Sequence, residues 1–365
     1  MVAGLLAGSA VAAPTVEEGV LEGAPYRISI PDGKVEGLVL WAHGYQIASQ
    51  GYRGFDRDMG AIVCPIVMER GFACAQSAFS RQGFAIEQGV LETEALRRHY
   101  VETHGRPKLT IMAGSHMGGF ITYIMMEKYP TVYDGGLASG ANNEPKLVHL
   151  KERLFDIRLL FDQYFPGLPG SVVDFPLGDQ TMQASVAKAR ELTEGQEERL
   201  AAFALAAGFR NTEGLARTVG FYAEVLRELN ERAGGNPFSN TNTIYTVGGS
   251  AEEEARINAQ IPRYTADPAA QAYLREWYTP TGRIERPLLA VNKLIDDVSP
   301  VEPTRYYDTL TQIAGTSDLF VQKFFTRTEG PSLVGEEFSL AFDQLLDWIR
   351  NGKKPEPGLL APEGR

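Results

Sequence analysis

The residues best placed to do chemistry lie in segment 113–119, which reads AGSHMGG. This segment follows a β-rich run and opens a helical run, which is the strand–turn–helix context of a nucleophile elbow with the pattern G-x-S-x-G. The pattern needs small residues on either side of its central position, because the strand and helix backbones come close together there. Gly114 and Gly118 set the register, so the central residue is His116, and its backbone torsions are predicted to be strained.

Ser115 is the alternative candidate for the central position, since a serine is the usual nucleophile of this motif. Centring the motif on Ser115 would place Ala113 and Met117 at the two positions that need small residues. Met117 is too bulky for so close an approach of the two backbones. The spacing therefore predicts that His116 lies at the tip of the turn and that Ser115 is at most a supporting residue.

An imidazole at the tip of such a turn could act in two ways. With a reference pKa of about 6.5 it is partly neutral at physiological pH. His116 could attack an acyl carbon and form an acyl-imidazole, which water would then hydrolyse. It could instead be a general base that removes a proton from water or from a substrate, as in direct hydrolysis, a lyase or an isomerase. A metal site is disfavoured, because Zn²⁺ takes more nitrogen or sulfur ligands than the single histidine placed here.

A second candidate lies at the end of the first strong strand, where residues 41–45 read WAHGY. A His-Gly loop in this position supplies one backbone N–H of an oxyanion hole, and the residue after the elbow supplies the other. The sequence therefore predicts that N–H groups of Gly44, Tyr45 and Met117 stabilise an oxygen that gains negative charge. His43 is predicted either to turn its side chain into the loop as a structural residue or to support catalysis.

A third candidate is segment 287–300, in which a strand runs into a loop that carries two acids and ends at Pro300. A triad on this scaffold takes its residues in the order nucleophile, acid and histidine, so the loop is the expected place of the acid. Asp296 is the first candidate and Asp297 the second. Either aspartate could instead be a solvated loop residue or a helix N-cap.

The histidine that should follow the acid is missing. The chain has five histidines, and they are His43, His99, His104, His116 and His149. The triad histidine would follow the last strand, between residues 326 and 335, where the sequence contains no histidine. A Ser-His-Asp mechanism is therefore excluded, because the elbow carries no serine and no later histidine could deprotonate one.

An alternation of strands and helices must position these candidates. Near-continuous apolar runs predict buried strands at 37–44, 72–79, 108–114, 135–141, 287–293 and 319–325. Amphipathic patterns predict helices at 56–70, 87–104, 117–129 and 336–352. This alternation indicates the α/β class, with a mostly parallel central sheet that helices cover on both faces.

The texture of the chain changes between the fourth and fifth of these strands. Three segments rich in Ala, Leu, Glu and Arg are predicted to be helical, with no convincing strand between them: 145–165, 181–207 and 212–233. We therefore expect a large helical cap inserted into the sheet domain. The predicted boundaries are a signal-like or disordered N-terminus at 1–19, a core at 20–143 and 285–355, the cap at 144–284 and a tail at 356–365.

The N-terminus and the cysteines bear on location. Residues 2–13 are small and apolar, and residues 10–12 have the A-x-A form of a signal-peptidase site, although the basic start of a signal peptide is missing. The segment predicts export, to the periplasm or the outside of the cell. Cys64 and Cys74 could form one disulfide in an oxidising compartment or remain as two buried thiols.

The composition excludes several classes of partner. The 365 residues include 35 Lys and Arg against 46 Asp and Glu, a net charge of −11, which argues against binding to nucleic acid. No apolar run reaches the roughly 18–20 residues that a membrane-spanning helix needs. The sequence predicts a small-molecule substrate, with no cofactor, no metal and no membrane partner, and it leaves a homo-oligomer open.

Together these features resemble the α/β-hydrolase superfamily, and more narrowly exported bacterial α/β hydrolases with a large helical cap. The resemblance covers about residues 25–355. The motifs that carry it are Tyr26 to Pro31, His43-Gly44-Tyr45, 114–119, Gly235 to Phe238 with Asn240, Arg263-Tyr264, Ala266 to Pro268, Tyr278 to Gly282, Asp296 to Pro300 and Gly352 to Pro355. Each motif alone is weak, and the set is specific.

The resemblance implies an α/β-hydrolase fold and an esterase-like activity without a cofactor. This chain departs from its relatives where their chemistry sits, since His116 stands at the position of the nucleophilic serine and Gly330 or Pro331 at that of the triad histidine. Three hypotheses follow. The protein hydrolyses an ester-like small molecule through His116, or it uses His116 as the base of proton-transfer, lyase or isomerase chemistry, or it is a ligand-binding pseudoenzyme.

Overall fold

The structure is a computed structural model that describes residues 14–56, 59–140, 147–175, 182–209, 211–294, 305–327 and 335–360. Its strands are β1 Thr15–Leu21, β2 Ala24–Ile30, β3 Gly37–Ala42, β4 Phe72–Ser77, β5 Thr110–Ser115, β6 Gly135–Ser139, β7 Leu288–Lys293, β8 Phe320–Phe325 and β9 Gly358–Leu359. Its helices are α1 Gly60–Met68, α2 Ile86–His104, α3 Met117–Lys128, α4 Leu147–Tyr164, α5 Met182–Thr193, α6 Glu197–Ala206, α7 Leu215–Ala233, α8 Ala251–Gln260, α9 Pro268–Trp277, α10 Arg305–Ala314 and α11 Gly335–Asn351.

All nine strands form one sheet in the order β1-β2-β4-β3-β5-β6-β7-β8-β9. Strand β2 pairs antiparallel with both β1 and β4, and every other pair is parallel. Helices connect the parallel strands, as right-handed crossovers require. This strand order, with a helix after β5 and another after β8, is the α/β-hydrolase fold. The predicted class and the mostly parallel sheet are confirmed.

The central strands are buried on both faces, which explains why their sequences are continuously apolar rather than alternating. Every residue of β3, β4, β5, β6 and β7 is buried. On one face Trp41 and Val291 pack with Phe338 of α11 in a large apolar cluster. The opposite face carries Leu288 and Gly136, and a Cβ built on Gly136 would meet Met126 of α3. Helix α11 therefore packs on one face of the sheet and α3 on the other.

The chain divides into two compact units, one of residues 1–45, 52–145 and 280–365 and the other of residues 46–51 and 146–279. The sheet lies in the first unit. The second unit contains α4 to α9, and the residues described there form no strand. These bounds lie close to the 144–284 insertion that the sequence predicts, and the role of the second unit as a cap stays a prediction.

The helical unit differs in detail from the expected pattern. The single helix expected over 181–207 is two helices, α5 and α6, because Gly195 between them adopts φ 68°. Helices α8 and α9 were not predicted, although both begin with a recognisable cap. The Ser250 side chain accepts the N–H of Glu253, and the Asp267 side chain accepts the N–H of Ala269 before Pro268.

The predicted N-terminal segment, residues 1–19, extends too far along the chain. Residues 15–19, placed within a signal-like or disordered segment, belong to β1, which pairs with β2 along its whole length. The turn between the strands is Glu22-Gly23, both at positive φ, as a two-residue hairpin requires. Glu17 and Glu18 interrupt the apolar pattern of β1, so the sequence did not indicate a strand here. Residues 1–13 lie outside the described residues. Similarly, β9 lies within the expected tail and pairs with β8.

Cys64 and Cys74 form a disulfide. The bond joins α1 to β4, and both residues are almost fully buried in the core. Of the two states that the sequence left open, the structure therefore contains the bonded one. Within the described part of the chain, no helix is long and apolar enough to cross a membrane.

Candidate active site

His116 lies at the sharp turn between β5 and α3. It has φ 54° and ψ −118°, a conformation that a side chain with a Cβ rarely adopts. Two backbone hydrogen bonds hold it there: its N–H donates to the Ser139 carbonyl at 2.8 Å, and its carbonyl accepts the Phe120 N–H at 3.1 Å. A strained residue at such a turn costs about 1–3 kcal/mol, which the surrounding fold must offset.

The two flanking glycines are required by close packing. A Cβ on Gly114 would overlap the backbone of Gly118, and a Cβ on Gly118 would overlap the Ala42 carbonyl at the end of β3. The first turn of α3 therefore presses directly on two strands of the sheet. This is the physical reason that the glycine spacing identifies residue 116 as the tip.

Ser115 does not lie at the tip. It is the last residue of β5, it pairs in register with Ser139 of β6, and it is only 3% exposed. Its backbone continues the strand, and the turn begins one residue later. The residue at the tip of the turn is therefore His116, and the hydroxyl of Ser115 lies one residue earlier, inside the strand.

The predicted oxyanion loop approaches His116. A Cβ built on Gly44 would lie 3.4 Å from the His116 Cβ and 3.8 Å from its Cδ2, which is van der Waals distance, so the loop lies directly beside the ring. Met117 is the first residue of α3, and its N–H consequently has no acceptor within the helix. The positive end of the α3 dipole lies at the same place. The structure thus brings Gly44, His116 and Met117 together, with Tyr45 next along the loop.

His43 turns into its own loop. The residue is 4% exposed, its Nδ1 lies 2.7 Å from the Gly44 carbonyl oxygen, and its ring packs 4.1 Å from the Phe79 ring. Because the carbonyl can only accept, Nδ1 carries the proton in this contact. The contact fixes the peptide between Gly44 and Tyr45, and in a trans peptide the Tyr45 N–H then points away from that carbonyl.

The loop after β4 supports His43, and sequence reasoning did not find it. Phe79 adopts φ 53° at this point, and its N–H donates to the Ser77 hydroxyl at 3.1 Å. The Tyr52 hydroxyl donates to the Phe79 carbonyl at 2.8 Å. No local motif signals a positive φ at a phenylalanine, so only the packing of distant segments reveals this support.

The predicted acids lie beyond the described part of β7. Asp296 and Asp297 both fall in the segment 295–304, outside the described residues. Strand β7 itself is described to Lys293, and β6 alone separates it from β5. The described part of β7 therefore ends two strands away from the elbow, at the same edge of the sheet.

An arginine follows β8, where the fold usually carries a histidine. Arg327 donates to both carboxylate oxygens of Glu337 in α11, at 3.1 and 2.9 Å. This two-point ion pair anchors the chain after the last long strand. Residues 328–334 lie outside the described residues, and the sequence there contains no histidine.

A half-buried carboxylate at the far end of α3 was also missed. Glu127 accepts four hydrogen bonds: from the Thr281 N–H and hydroxyl at 2.8 Å each, from the Gly282 N–H at 2.7 Å and from the Tyr307 hydroxyl at 2.8 Å. Burial raises the pKa of this carboxyl, and the four donors oppose the shift. Glu127 therefore fixes the segment from which the chain enters β7.

Asn236 and Asn240, two residues of the motifs that carry the sequence resemblance, form hydrogen bonds within the helical unit. The Asn240 amide donates to the Tyr245 hydroxyl at 2.9 Å and to the Pro262 carbonyl at 2.8 Å, and it accepts the Tyr264 N–H at 2.7 Å. Asn236 bonds to Phe238 in the same way. These hydrogen bonds tie two loops of the helical unit together. Among the described residues, no group of three His, Cys, Asp or Glu side chains could hold a metal ion.

Several solved structures are similar to this chain. An esterase of Pyrococcus furiosus is 11% identical, with 93% of this chain and 88% of that chain covered and a TM-score of 0.43. The Thermus thermophilus protein TT1662 is 13% identical, with 93% and 99% covered and a TM-score of 0.46. A puromycin hydrolase is 13% identical, with 95% of this chain but only 41% of that chain covered and a TM-score of 0.45.

The comparison with protein families shows to which family the chain belongs. No curated protein sequence matches it. Residues 30–259 match the model of one family, and this stretch covers well over half of the chain, including residues 41–45, the turn at His116 and α4 to α7. The chain belongs to the tannase-like family of unknown function DUF6351.

Proposed function

We propose that the protein hydrolyses an ester-like small molecule, with His116 as the nucleophile and backbone N–H groups as the oxyanion hole. One observation carries the proposal: the His116 side chain occupies the strained tip of the elbow, at the N-terminus of α3 and against Gly44. A fold that keeps a histidine at φ 54° pays a stability cost that a glycine would avoid. Retained strain of this kind is typical of a site in use.

The reaction runs in two steps. A neutral imidazole nitrogen of His116 attacks the carbonyl carbon, and the carbonyl oxygen gains negative charge next to the N–H groups of Met117 and of Gly44 or Tyr45. The C–O bond to the leaving group breaks, the leaving group departs as an anion that takes up a proton from solvent, and a cationic acyl-imidazole remains. Water then adds to the acyl carbon and the C–N bond breaks. One water proton goes to the imidazole nitrogen, which later releases it to solvent, and the other stays on the carboxylic acid.

This scheme does not need a second histidine. An acyl-imidazole is far more reactive than the serine ester of a triad enzyme, so water can hydrolyse it without a strong base. Asp296 or Asp297 would hold the imidazole and stabilise the cationic acyl intermediate. His116 as a general base for direct hydrolysis is the alternative that uses the same geometry.

The test compares wild-type protein with His116→Ala on p-nitrophenyl acetate and butyrate. We expect kcat/KM of the variant to be at least about a hundredfold lower than that of wild type, because alanine has no imidazole to attack the substrate. Ser115→Ala is the matched control: it alters the neighbouring hydroxyl inside the strand and should keep most of the activity. Equal rates for wild type and His116→Ala would refute the proposal.

Mass spectrometry separates the two uses of the imidazole. A nucleophile leaves an acyl group on His116 when the reaction is stopped by rapid denaturation in the cold near neutral pH, whereas a general base leaves none. A third result is ligand stabilisation of wild type and His116→Ala alike, in a thermal-shift screen without turnover. That result would identify a binding protein rather than an enzyme.

A further inference from the structure

A second polar side chain lies in the same row of the sheet as His116. The His116 N–H donates to the Ser139 carbonyl, and the Gly140 N–H donates to the Val291 carbonyl at 2.9 Å. These two bonds continue the β5–β6 and β6–β7 ladders by one residue. The row therefore runs from His116 through Gly140 to Asn292, and two strand spacings of about 4.8 Å separate its ends.

The face of the sheet to which Asn292 points follows from its neighbours. Val291 packs in the cluster that contains α11, so Asn292 faces the opposite side. Leu288, four residues earlier on the same face, meets Gly136 next to Met126 of α3. Asn292 therefore lies on the α3 side of the sheet. The intervening residue of the row is a glycine, so no side chain of β6 fills the space between Asn292 and the elbow.

The amide of Asn292 is buried without hydrogen bonds. The residue is 0% exposed, and neither its Oδ1 nor its Nδ2 has a partner among the described residues. Burying an unpaired donor and acceptor is costly, and a leucine of similar size would avoid that cost. Buried unpaired groups of this kind usually have a bound water or a function.

We propose that Asn292 is a positioning residue of the His116 site, which holds the water that hydrolyses the acyl-imidazole; this rests on the proposed function. Water is the small molecule that can donate to Oδ1 and accept from Nδ2 in an enclosed space. Its oxygen forms the new C–O bond, the C–N bond to His116 breaks, one proton goes to the imidazole nitrogen, and the other stays on the carboxylic acid.

The test uses Asn292→Leu, with Asn240→Leu as the matched control for stability. Asn292→Leu should change the unfolding temperature little, because the amide has no protein partner among the described residues and only the contacts with the water are lost. Asn240→Leu should unfold at a lower temperature, because it strands the groups of Tyr245, Pro262 and Tyr264 that the amide now satisfies. A marked fall for Asn292→Leu would show a paired, merely structural amide and overturn the proposal.

Pre-steady-state kinetics with p-nitrophenyl acetate give the functional readout. In Asn292→Leu the initial burst of nitrophenolate should be unchanged, steady-state turnover should fall about tenfold or more, and acyl-His116 should accumulate in the quenched protein. A reduced burst or a raised KM would show that Asn292 contacts the substrate, and unchanged turnover would show that it has no role; both overturn the proposal.

The outcomes keep the two proposals apart. If His116→Ala equals wild type, the proposed function is wrong and the role of Asn292 in it falls as well. If His116→Ala is inactive while Asn292→Leu turns over like wild type, only the inference about Asn292 is wrong. Asn292→Asp, which keeps an acceptor for the water, should recover part of the lost turnover.

Discussion

The chemistry of this protein depends on how single residues are held. His116 reaches the tip of the elbow because Gly114 and Gly118 allow two backbones to touch, and the Ser139 carbonyl holds its N–H. The opposing group, the peptide between Gly44 and Tyr45, is held by the His43 ring. Both halves of the proposed site thus depend on a histidine, in different ways.

Replacing His43 with Phe should separate its hydrogen bond from its packing. A Phe ring keeps the stacking on Phe79 but cannot donate to the Gly44 carbonyl at 2.7 Å. We expect kcat to fall by about tenfold to a hundredfold with little change in KM, because a freely rotating peptide stabilises the oxyanion poorly; loss of one such donor costs about 10²–10³ in kcat. Steady-state kinetics on p-nitrophenyl esters measure this effect.

Unchanged kcat in His43→Phe would show that another contact orients the 44–45 peptide. A parallel loss of kcat and folding stability would point to a packing defect, and Phe79→Leu, which disturbs the stack but not the donor, is the control for that result.

The sequence predicted the tip residue well because sterics alone decide it. Glycine spacing excluded Ser115 from the tip, and the structure shows Ser115 inside β5. The supports of His43 could not be predicted, because Phe79 and Tyr52 reach it across the fold and carry no local signature. The roles of Asp296 and Asp297 remain a prediction.

At the scale of whole elements, Glu127 joins α3 to the segment that leads into β7. Each carboxylate oxygen of Glu127 accepts two of the four hydrogen bonds. In Glu127→Gln an NH₂ group replaces one of these oxygens, so two of the four donors then face another donor instead of an acceptor. Each buried donor that loses its acceptor costs about 1–3 kcal/mol. We expect the free energy of unfolding in urea to fall by about 2 kcal/mol or more. A change below about 0.5 kcal/mol would contradict this role.

Within α4, an ion pair between buried Arg158 and half-buried Asp162 makes stability depend on pH. Burial raises the pKa of Asp162 to about 6, against the opposing effect of the Arg158 guanidinium at 3.2 Å. Because this pKa lies above the ordinary value, the folded protein binds the proton more tightly than the unfolded chain does. The contribution is fully present below about pH 4 and is lost as the pH rises through about 6.

Asp162→Asn should therefore gain stability relative to wild type as the pH rises from 4 to 7, since asparagine stays neutral throughout. Urea unfolding of both proteins at each pH gives the difference, in which the other titrating groups cancel. A difference that shrinks over this range would show that the charged form of Asp162 is the favoured one in the fold.

Element prediction succeeded where one physical signal decides the outcome. Strands β3 to β8 are rich in apolar and small residues because the sheet is covered on both faces, and each was found within two residues at either end. The β1–β2 hairpin was missed, since an exposed edge strand with two glutamates has no apolar period. The break between α5 and α6 was missed because an isolated glycine is often tolerated inside a helix.

At the scale of the whole molecule, the chain combines a sheet unit that carries the elbow with a helical unit inserted after β6. The first unit contains the one disulfide, and both of its cysteines lie in the apolar core. We propose on this basis, and on the apolar N-terminal segment, that the protein is exported to an oxidising compartment. A reporter protein fused to residues 1–20 tests this proposal, because cell fractionation shows in which compartment the reporter is found.

The disulfide also yields a prediction about stability. Cys64 and Cys74 are separated by 10 residues, and closing a loop of that length removes about 2–3 kcal/mol of conformational freedom from the unfolded chain. The double variant Cys64→Ala/Cys74→Ala should lose at least this much in urea unfolding, since it also removes two buried sulfurs. Dithiothreitol should destabilise wild type and leave the double variant unchanged. Equal sensitivity of both proteins to the reductant would show that the two cysteines are not bonded in solution.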